Sequence, residues 1–207
     1  MKKQKIALNN ILYQNPVLTY ALGISTVVAV ATTFYNGLVL SLLIAWINIP
    51  VCILSALFYR KWARPYRTLA TALTAAVFYT LGVHLLSYFP ASIPTLFQYY
   101  LPLAVANSLM FNRAVRRITR RTVREATVDI LSASLGYGLT ACVVGAIREL
   151  LKTGAIAGWV WFHPIEPFHM AQAPFFGFIV LGFIAALARS VRLRHDRKKQ
   201  REGGRFI

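Results

Sequence analysis

The sequence predicts an all-α integral membrane protein of six transmembrane helices, arranged as two inverted repeats of three helices each. Hydrophobic residues make up 57% of the 207 residues, which is more than a soluble domain of this length carries. Six apolar stretches are each long enough to cross about 30 Å of hydrocarbon, for which a helix needs roughly 20 residues. Basic residues separate these stretches in a regular pattern, and the two halves of the chain begin alike.

The spans follow one another within a membrane domain of residues 1–189, and a polar, basic tail covers 190–207 and is expected to be mobile. They are predicted near residues 16–35, 37–58, 68–89, 94–111, 129–151 and 171–189. The fifth span is rich in small residues, including Gly136 and Gly138, which let helix backbones approach closely. We therefore expect this span to be buried among other helices, and the third span to be more exposed.

The positive charge predicts the orientation. In the six-span topology, all Lys and Arg residues except Arg148 and Lys152 fall on one side. Short positively charged loops stay in the cytoplasm, so both termini are predicted to be cytoplasmic, in the inner (plasma) membrane. The net charge of +17 is expected to attract anionic lipid headgroups. Nucleic-acid binding is disfavoured, because the basic clusters interrupt apolar runs instead of forming a stripe on a soluble fold.

The two halves share features in their first spans. "NPVLTYAL" and "IPTLFQYY" each carry a proline followed by a leucine two residues later, and each span holds a hydroxyl, Ser25 after Gly23 and Ser108 after Pro102. Transporter folds built from inverted repeats place their shared site at the membrane midplane, often on interrupted helices. The pattern predicts that the first helix of each repeat is interrupted.

Three segments carry a resemblance to a known family. "NPVLTYALGISTVVAVATT", "LPLAVANSLMFNRA" and "LGYGLTACVVGAIRELLKTG" resemble the membrane subunits of the Rnf and Nqr complexes (RnfA/RnfE and NqrD/NqrE). The topology is closest to that of the RnfE/NqrD branch. The third segment is a retained motif that contains Gly136, Gly138, Arg148 and Glu149.

The second segment keeps only part of a family motif. Arg113 and Ala114 match Gly-Arg-Ala-Glu in part, while Asn112 and Val115 depart from it.

The resemblance implies an intramembrane electron relay. In the family, two homologous subunits of opposite topology each supply two cysteines to a two-iron–two-sulfur cluster, and further electron-transfer subunits complete the complex. Here Ser25 and Ser108, the latter next to Asn107, stand at the positions of those cysteines. Cysteine thiolate is the usual ligand of such clusters, whereas a serine hydroxyl stays protonated and binds iron poorly. No cofactor is therefore expected, and a cluster would be shared with a partner only if the family role is retained.

Several interpretations remain open. The chain is a cluster-less paralogue with a scaffold or regulatory role, or Cys52 and Cys142 replace the missing ligands, or the chain is a small transporter or permease with a polar midplane site. A membrane anchor for a cytoplasmic partner is a further alternative. Packing is the favoured role of the two cysteines, because free cysteine is among the most buried residue types. The partner is a homologous membrane subunit or a second copy, and the chain is at most a non-catalytic or electron-relay subunit of an enzyme.

The other polar residues are given structural roles. Asn48 and Pro50 are expected to mark a kink in the second span, and mid-span His84 is expected to be a hydrogen-bonded packing residue. Arg148 and Glu149 are consecutive, so they do not face each other along a helix. The loop with His163, Glu166 and His169 is expected to be an interfacial aromatic lid, since a metal site needs more converging ligands. No signature of a soluble enzyme is present.

Overall fold

The computed structural model describes residues 15–87, 102, 105, 107–117, 122–161 and 168–203. Within these residues, four helices are long and apolar enough to cross a membrane. They are Phe34–Leu57, Arg64–Leu85, Val123–Thr153 and Pro174–Arg194. The chain is therefore a helical, multi-pass membrane protein, as predicted.

The first predicted span contains two short helices. Helix α1 covers Pro16–Tyr20 and helix α2 covers Ile24–Val30. Ala21 and Gly23, which lie between them, have positive φ angles of 55° and 75°. This left-handed backbone ends a helix, so the two helices are separate pieces.

Helices α3 and α4 correspond to the second and third predicted spans. Helix α3 runs from Phe34 to Leu57, and Thr33 caps its start. Pro50 lies inside α3 and has no N–H to donate to the helix. A 3₁₀ turn at Tyr59–Lys61 leads to helix α4, Arg64–Ser87.

Most of the fourth predicted span lies outside the described residues. Its described end forms helix α5, Ser108–Phe111, which continues as a π-helical segment at Asn112–Arg117. The segment between the fourth and fifth predicted spans is therefore helical through Arg117 and again from Val123.

Helix α6 covers Val123–Thr153 and begins six residues before the predicted span. The Thr122 side chain and the Glu125 side chain each accept the other residue's backbone N–H, which forms a capping box. At the other end, Gly154 takes a left-handed conformation with φ 69° and closes the helix. These caps explain the start and the end of the helix.

A short hairpin follows α6. Strands β1 (Ala155–Ile156) and β2 (Trp159–Val160) pair antiparallel. Ala157 and Gly158, between them, both have positive φ, as a two-residue hairpin turn requires. The hairpin includes the beginning of the predicted aromatic lid, whereas residues 162–167 of that lid lie outside the described residues.

The last element is helix α7, Pro174–Gly203, preceded by a 3₁₀ turn at His169–Gln172. It continues well beyond residue 189, where the sixth span was predicted to end. The residues assigned to a mobile tail are thus helical through Gly203.

Helices α3 and α6 pack antiparallel and form the centre of the molecule. Gly37 and Gly138 lie at the contact, where an added Cβ on Gly37 would come within 2.6 Å of the Ala141 carbonyl oxygen and one on Gly138 within 3.0 Å of Ser41 Cβ. In the most apolar 18-residue stretch of α6, 61% is buried inside the protein, against 17% in that of α4. The expectations of a buried fifth span and an exposed third span are both confirmed.

Candidate functional site

Asn15 caps the start of α1 and ties it to α6. Asn15 Oδ1 accepts hydrogen bonds from the Val17 and Leu18 N–H groups and so caps α1. Its Nδ2 donates to the Gly136 carbonyl at 2.8 Å and to Thr140 Oγ1 at 3.0 Å. The start of the first span is thereby fixed to the middle of α6, and Gly136 serves through its backbone.

The start of helix α5 meets the break between α1 and α2 at Gly23. Asn107 Oδ1 accepts from the Leu109 N–H at 2.9 Å and caps α5. The Ser108 Oγ accepts from the Gly23 N–H, also at 2.9 Å. The beginnings of α2 and α5 are thus joined tip to tip, across 85 residues of sequence.

Gly23 is required at this junction for two reasons. Its φ of 75° lies in the left-handed region, which residues with a Cβ atom disfavour. An added Cβ would also lie 2.8 Å from Tyr137 Cε2 and 2.9 Å from Asn107 Oδ1. The site therefore has no space for a side chain here.

A hydroxyl pair lies beneath the junction. Thr26 Oγ1 is 2.6 Å from the Tyr137 hydroxyl and also donates to the Gly23 carbonyl at 2.9 Å. Both side chains are fully buried. The sequence analysis missed Tyr137 and Asn15 as parts of this site; the only signal was a tyrosine within the glycine-rich run of the fifth span.

Ser25 and Ser108 both lie in the first turn of their helices, and both are exposed. Ser25 is two residues from Gly23, whose N–H binds Ser108. The break between α1 and α2 and the start of α5 therefore bring Ser25 and Ser108 to one region of the surface.

The cysteines lie elsewhere. Cys142 packs on Gly37 near the start of α3 and is 3.9 Å from Ser41 Oγ. Cys52 is buried eleven residues beyond Ser41 in α3, which is about 16 Å at 1.5 Å per residue. The structure does not bring the two thiols together.

Arg148 is fully buried and binds only backbone. Its guanidinium donates to the Val28 and Ala31 carbonyls at the end of α2. It also donates to three carbonyls just before α7, those of Ala171, Gln172 and Ala173. Carbonyls at a helix end lack partners within the helix, so the cation satisfies them and matches the negative end of the helix dipole.

Glu149 caps the neighbouring helix. Its Oε2 accepts from the Phe34 N–H, at the start of α3, at 2.9 Å. Arg148 and Glu149 thus point to the two sides of the turn that connects α2 to α3. As expected, they do not bind each other.

A buried ion pair lies towards the other end of α6. Arg113 Nη1 contacts Asp129 Oδ2, and both side chains are nearly inaccessible. Cys52 lies within electrostatic range of both groups, and Ser55 Oγ donates to the Ala114 carbonyl at 2.7 Å. Arg113 follows the predicted end of the fourth span, and the π-helical segment places its side chain inward against α6.

The remaining predicted residues are less informative. His84 lies on the exposed face of α4. Asn48 is buried, and its amide has no hydrogen-bond partner among the described residues. Of the loop residues, His163 and Glu166 lie outside the described residues. Within the part of the chain that the structure describes, no group of three potential metal ligands converges.

Comparison with known proteins agrees with this architecture. Residues 3–185 match the family described as Rnf-Nqr subunit, membrane protein. One relative is the E subunit of the Na(+)-translocating ferredoxin:NAD(+) oxidoreductase complex of Acetobacterium woodii. It is 26% identical over 189 residues that cover 90% of this chain and 96% of that protein.

Two further relatives are E subunits of complexes described as ion-translocating oxidoreductases. That of Shewanella frigidimarina is 27% identical over 93% of this chain and 90% of its own length. That of Shewanella putrefaciens is 28% identical over 89% of this chain and 85% of its own length. Because the family match extends over residues 3–185 of the 207, the chain belongs to the Rnf-Nqr family of membrane subunits.

Proposed function

We propose that the chain is a membrane subunit of an ion-translocating oxidoreductase complex of the Rnf type, and that it acts there as a scaffold without supplying cluster ligands. Relatives that carry the name of such a subunit align over nearly their full length. Its immediate partner is a homologous membrane subunit of opposite topology, and further electron-transfer subunits complete the assembly.

The proposed architecture is six spans in two inverted repeats, with both termini in the cytoplasm of a cell whose inner membrane holds the complex. The second helix of each repeat would be α3 and α6, and these two helices pack antiparallel. The first helix of each repeat would carry a break, and the two breaks meet at Gly23 and Ser108. Both observations support an inverted relation between the halves.

The observation that carries the scaffold role is the hydrogen bond from the Gly23 N–H to Ser108 Oγ. It occupies the position where the family's cysteine would offer a thiolate, and it holds the two helix tips together without metal. Ser25, the second position, is likewise a hydroxyl. The donor set does not fit a two-iron–two-sulfur cluster, which is held by cysteine thiolates.

Replacement ligands are also disfavoured. The Cys142 thiol lies against Ser41, eleven residues before Cys52 in α3, which is about 16 Å at 1.5 Å per residue, so one cluster does not reach both. Cys52 is buried among α3, Arg113 and Asp129, away from the exposed face that carries Ser25 and Ser108. We assign both cysteines to packing.

The test is to purify the full chain from its native membrane with its co-purifying subunits and identify them by mass spectrometry. A homologous membrane subunit is expected among them. Its absence, together with a stable homodimer, would favour the transporter alternative.

A gain-of-ligand variant tests the vacated position. In the purified assembly, Ser25→Cys/Ser108→Cys is expected to increase bound iron, with a new paramagnetic signal after reduction. The matched control Thr80→Cys/Ser190→Cys places two thiols at exposed hydroxyl positions of α4 and α7 and is expected to add none. If the unaltered chain in its assembly already depends on Cys52 and Cys142 for bound iron, the scaffold role is wrong.

A further inference from the structure

A cleft of about 420 Å³ opens between the start of α4 and the segment formed by α5 and the π-helical turn after it. Arg64 and Arg116 line one part of it, and Leu22, Phe111 and Val115 supply apolar walls. We propose that this cleft binds one anionic phospholipid, with the phosphate between the two arginines and an acyl chain against the apolar wall.

The charged part of the cleft is suited to a phosphate. Arg64 and Arg116 come from different elements, and both are exposed, so each guanidinium can reach a ligand between them. No Asp or Glu is among the residues that line the cleft. The planar arginine fork matches phosphate oxygens in a bidentate manner. Asn112, also in the wall, adds an amide that donates hydrogen bonds.

The apolar part favours a lipid over a free anion. Val115 is buried and Phe111 and Leu22 are half-buried, so an inorganic phosphate would leave this surface unused. The described lining of the cleft thus offers both a charged and an apolar surface, as a phospholipid requires.

The position of the arginines agrees with a lipid headgroup. Arg64 belongs to the basic group between α3 and α4, and Arg116 to the basic group before α6. Basic pockets between membrane helices on the side of the positive loops bind anionic headgroups. The inference rests on this cleft alone and does not depend on the assignment to an oxidoreductase complex.

The experiment uses the full chain with any co-purifying subunits, delipidated in detergent and titrated in native mass spectrometry. The three probes are dioleoyl phosphatidylglycerol, dioleoyl phosphatidylcholine and inorganic phosphate. We expect one phosphatidylglycerol to bind at least tenfold more tightly than either of the others. Arg64→Gln/Arg116→Gln is expected to remove this preference, because each basic residue near a headgroup contributes about one-half to one decade of affinity.

The control Arg124→Gln/Arg194→Gln removes the same charge from exposed arginines outside the cleft and is expected to keep the preference. Thr68→Phe keeps both arginines and narrows the cleft with a bulkier side chain, so it is expected to weaken the binding of phosphatidylglycerol. Elution as a single species in size exclusion verifies the fold of each variant. Equal binding of the two lipids, equal binding of inorganic phosphate, or equal losses in the two arginine pairs would each overturn the proposal.

Discussion

At the scale of single residues, Ser108 shows how a hydroxyl within a predicted span takes a structural role. Its hydroxyl accepts the N–H of Gly23, a backbone group that the break between α1 and α2 leaves without a helical partner. Ser25 has the same side chain and similar exposure but caps nothing in the described residues. The two serines therefore separate the effect of the hydroxyl from the effect of the hydrogen bond.

Ser108→Ala is expected to lower the free energy of unfolding by about 1 kcal/mol, since it removes one hydrogen bond from an otherwise unpaired N–H. Ser25→Ala is expected to change it by less than about 0.5 kcal/mol, as exposed substitutions usually do. Thermal unfolding of both variants in detergent measures the difference. Equal stability of the two variants would mean that the Ser108 bond contributes nothing.

Arg148 donates more hydrogen bonds than any other side chain in the described residues. Arg148→Met would leave carbonyls at the end of α2 and before α7 without donors, at about 1–3 kcal/mol for each buried unsatisfied group. We expect loss of the folded protein from membranes, or a large fall in its melting temperature. Arg148→Lys, with three donors on a point charge, is expected to be intermediate. A stable Arg148→Met variant would contradict the clamp role.

At the scale of elements, the contact between α3 and α6 determines the packing of the molecule. Gly145 of α6 lies directly against the backbone of Thr33, so an added methyl has no space. Without a hydrophobic driving force between helices in lipid, such close packing is what holds membrane helices together.

Gly145→Ala is accordingly expected to destabilise the protein by about 1–3 kcal/mol, the usual cost of overpacking. Gly182, in α7, has no atom within 4 Å of an added Cβ. Gly182→Ala is expected to be neutral or to stabilise by up to about 1 kcal/mol, because alanine favours helix. Unfolding of the two variants under the same conditions tests this, and similar losses for both would refute tight packing at Gly145.

The ion pair of Arg113 and Asp129 joins the π-helical segment to α6. Removing one partner leaves an unpaired buried charge, at about 3–5 kcal/mol, whereas replacing both with apolar residues is often neutral. We expect Asp129→Leu and Arg113→Met each to be severely destabilised, and the double variant to recover most of the loss. The yield of folded protein from membranes measures this double-mutant cycle. Additive losses would show that the two groups are not coupled.

At the scale of the whole molecule, cysteine labelling tests the proposed orientation of the chain in the membrane. In a Cys52→Ala/Cys142→Ala background, a cysteine at exposed Trp161 is expected to react with an impermeant maleimide added outside intact cells. A cysteine at exposed Arg194, in the proposed cytoplasmic part of α7, is expected to react only after the membrane is opened. Labelling in the opposite order would invert the proposed topology.

The sequence predicted much of this fold because apolar length and basic loops are local signals. The positions of α3, α4 and α6 follow from apolar runs, and the burial of α6 follows from its small residues. The inward position of Arg113 could not be predicted, because a π-helical segment departs from the 3.6-residue period by which residues are assigned to a helix face. The contacts of Asn15 and Tyr137 join residues more than 100 positions apart, and no pattern in one sequence reports such distances.

The Arg148 clamp has a consequence for how freely its surroundings can change. All of its acceptors are main-chain oxygens, which every amino acid possesses. Residues 28, 31 and 171–173 can therefore be exchanged for others of suitable size without loss of a single bond, provided that the backbone path is preserved. Redesign of these two turns is therefore limited by the apolar packing of buried Val28, Ala31 and Ala171 and by the backbone path, and not by the hydrogen bonds to Arg148.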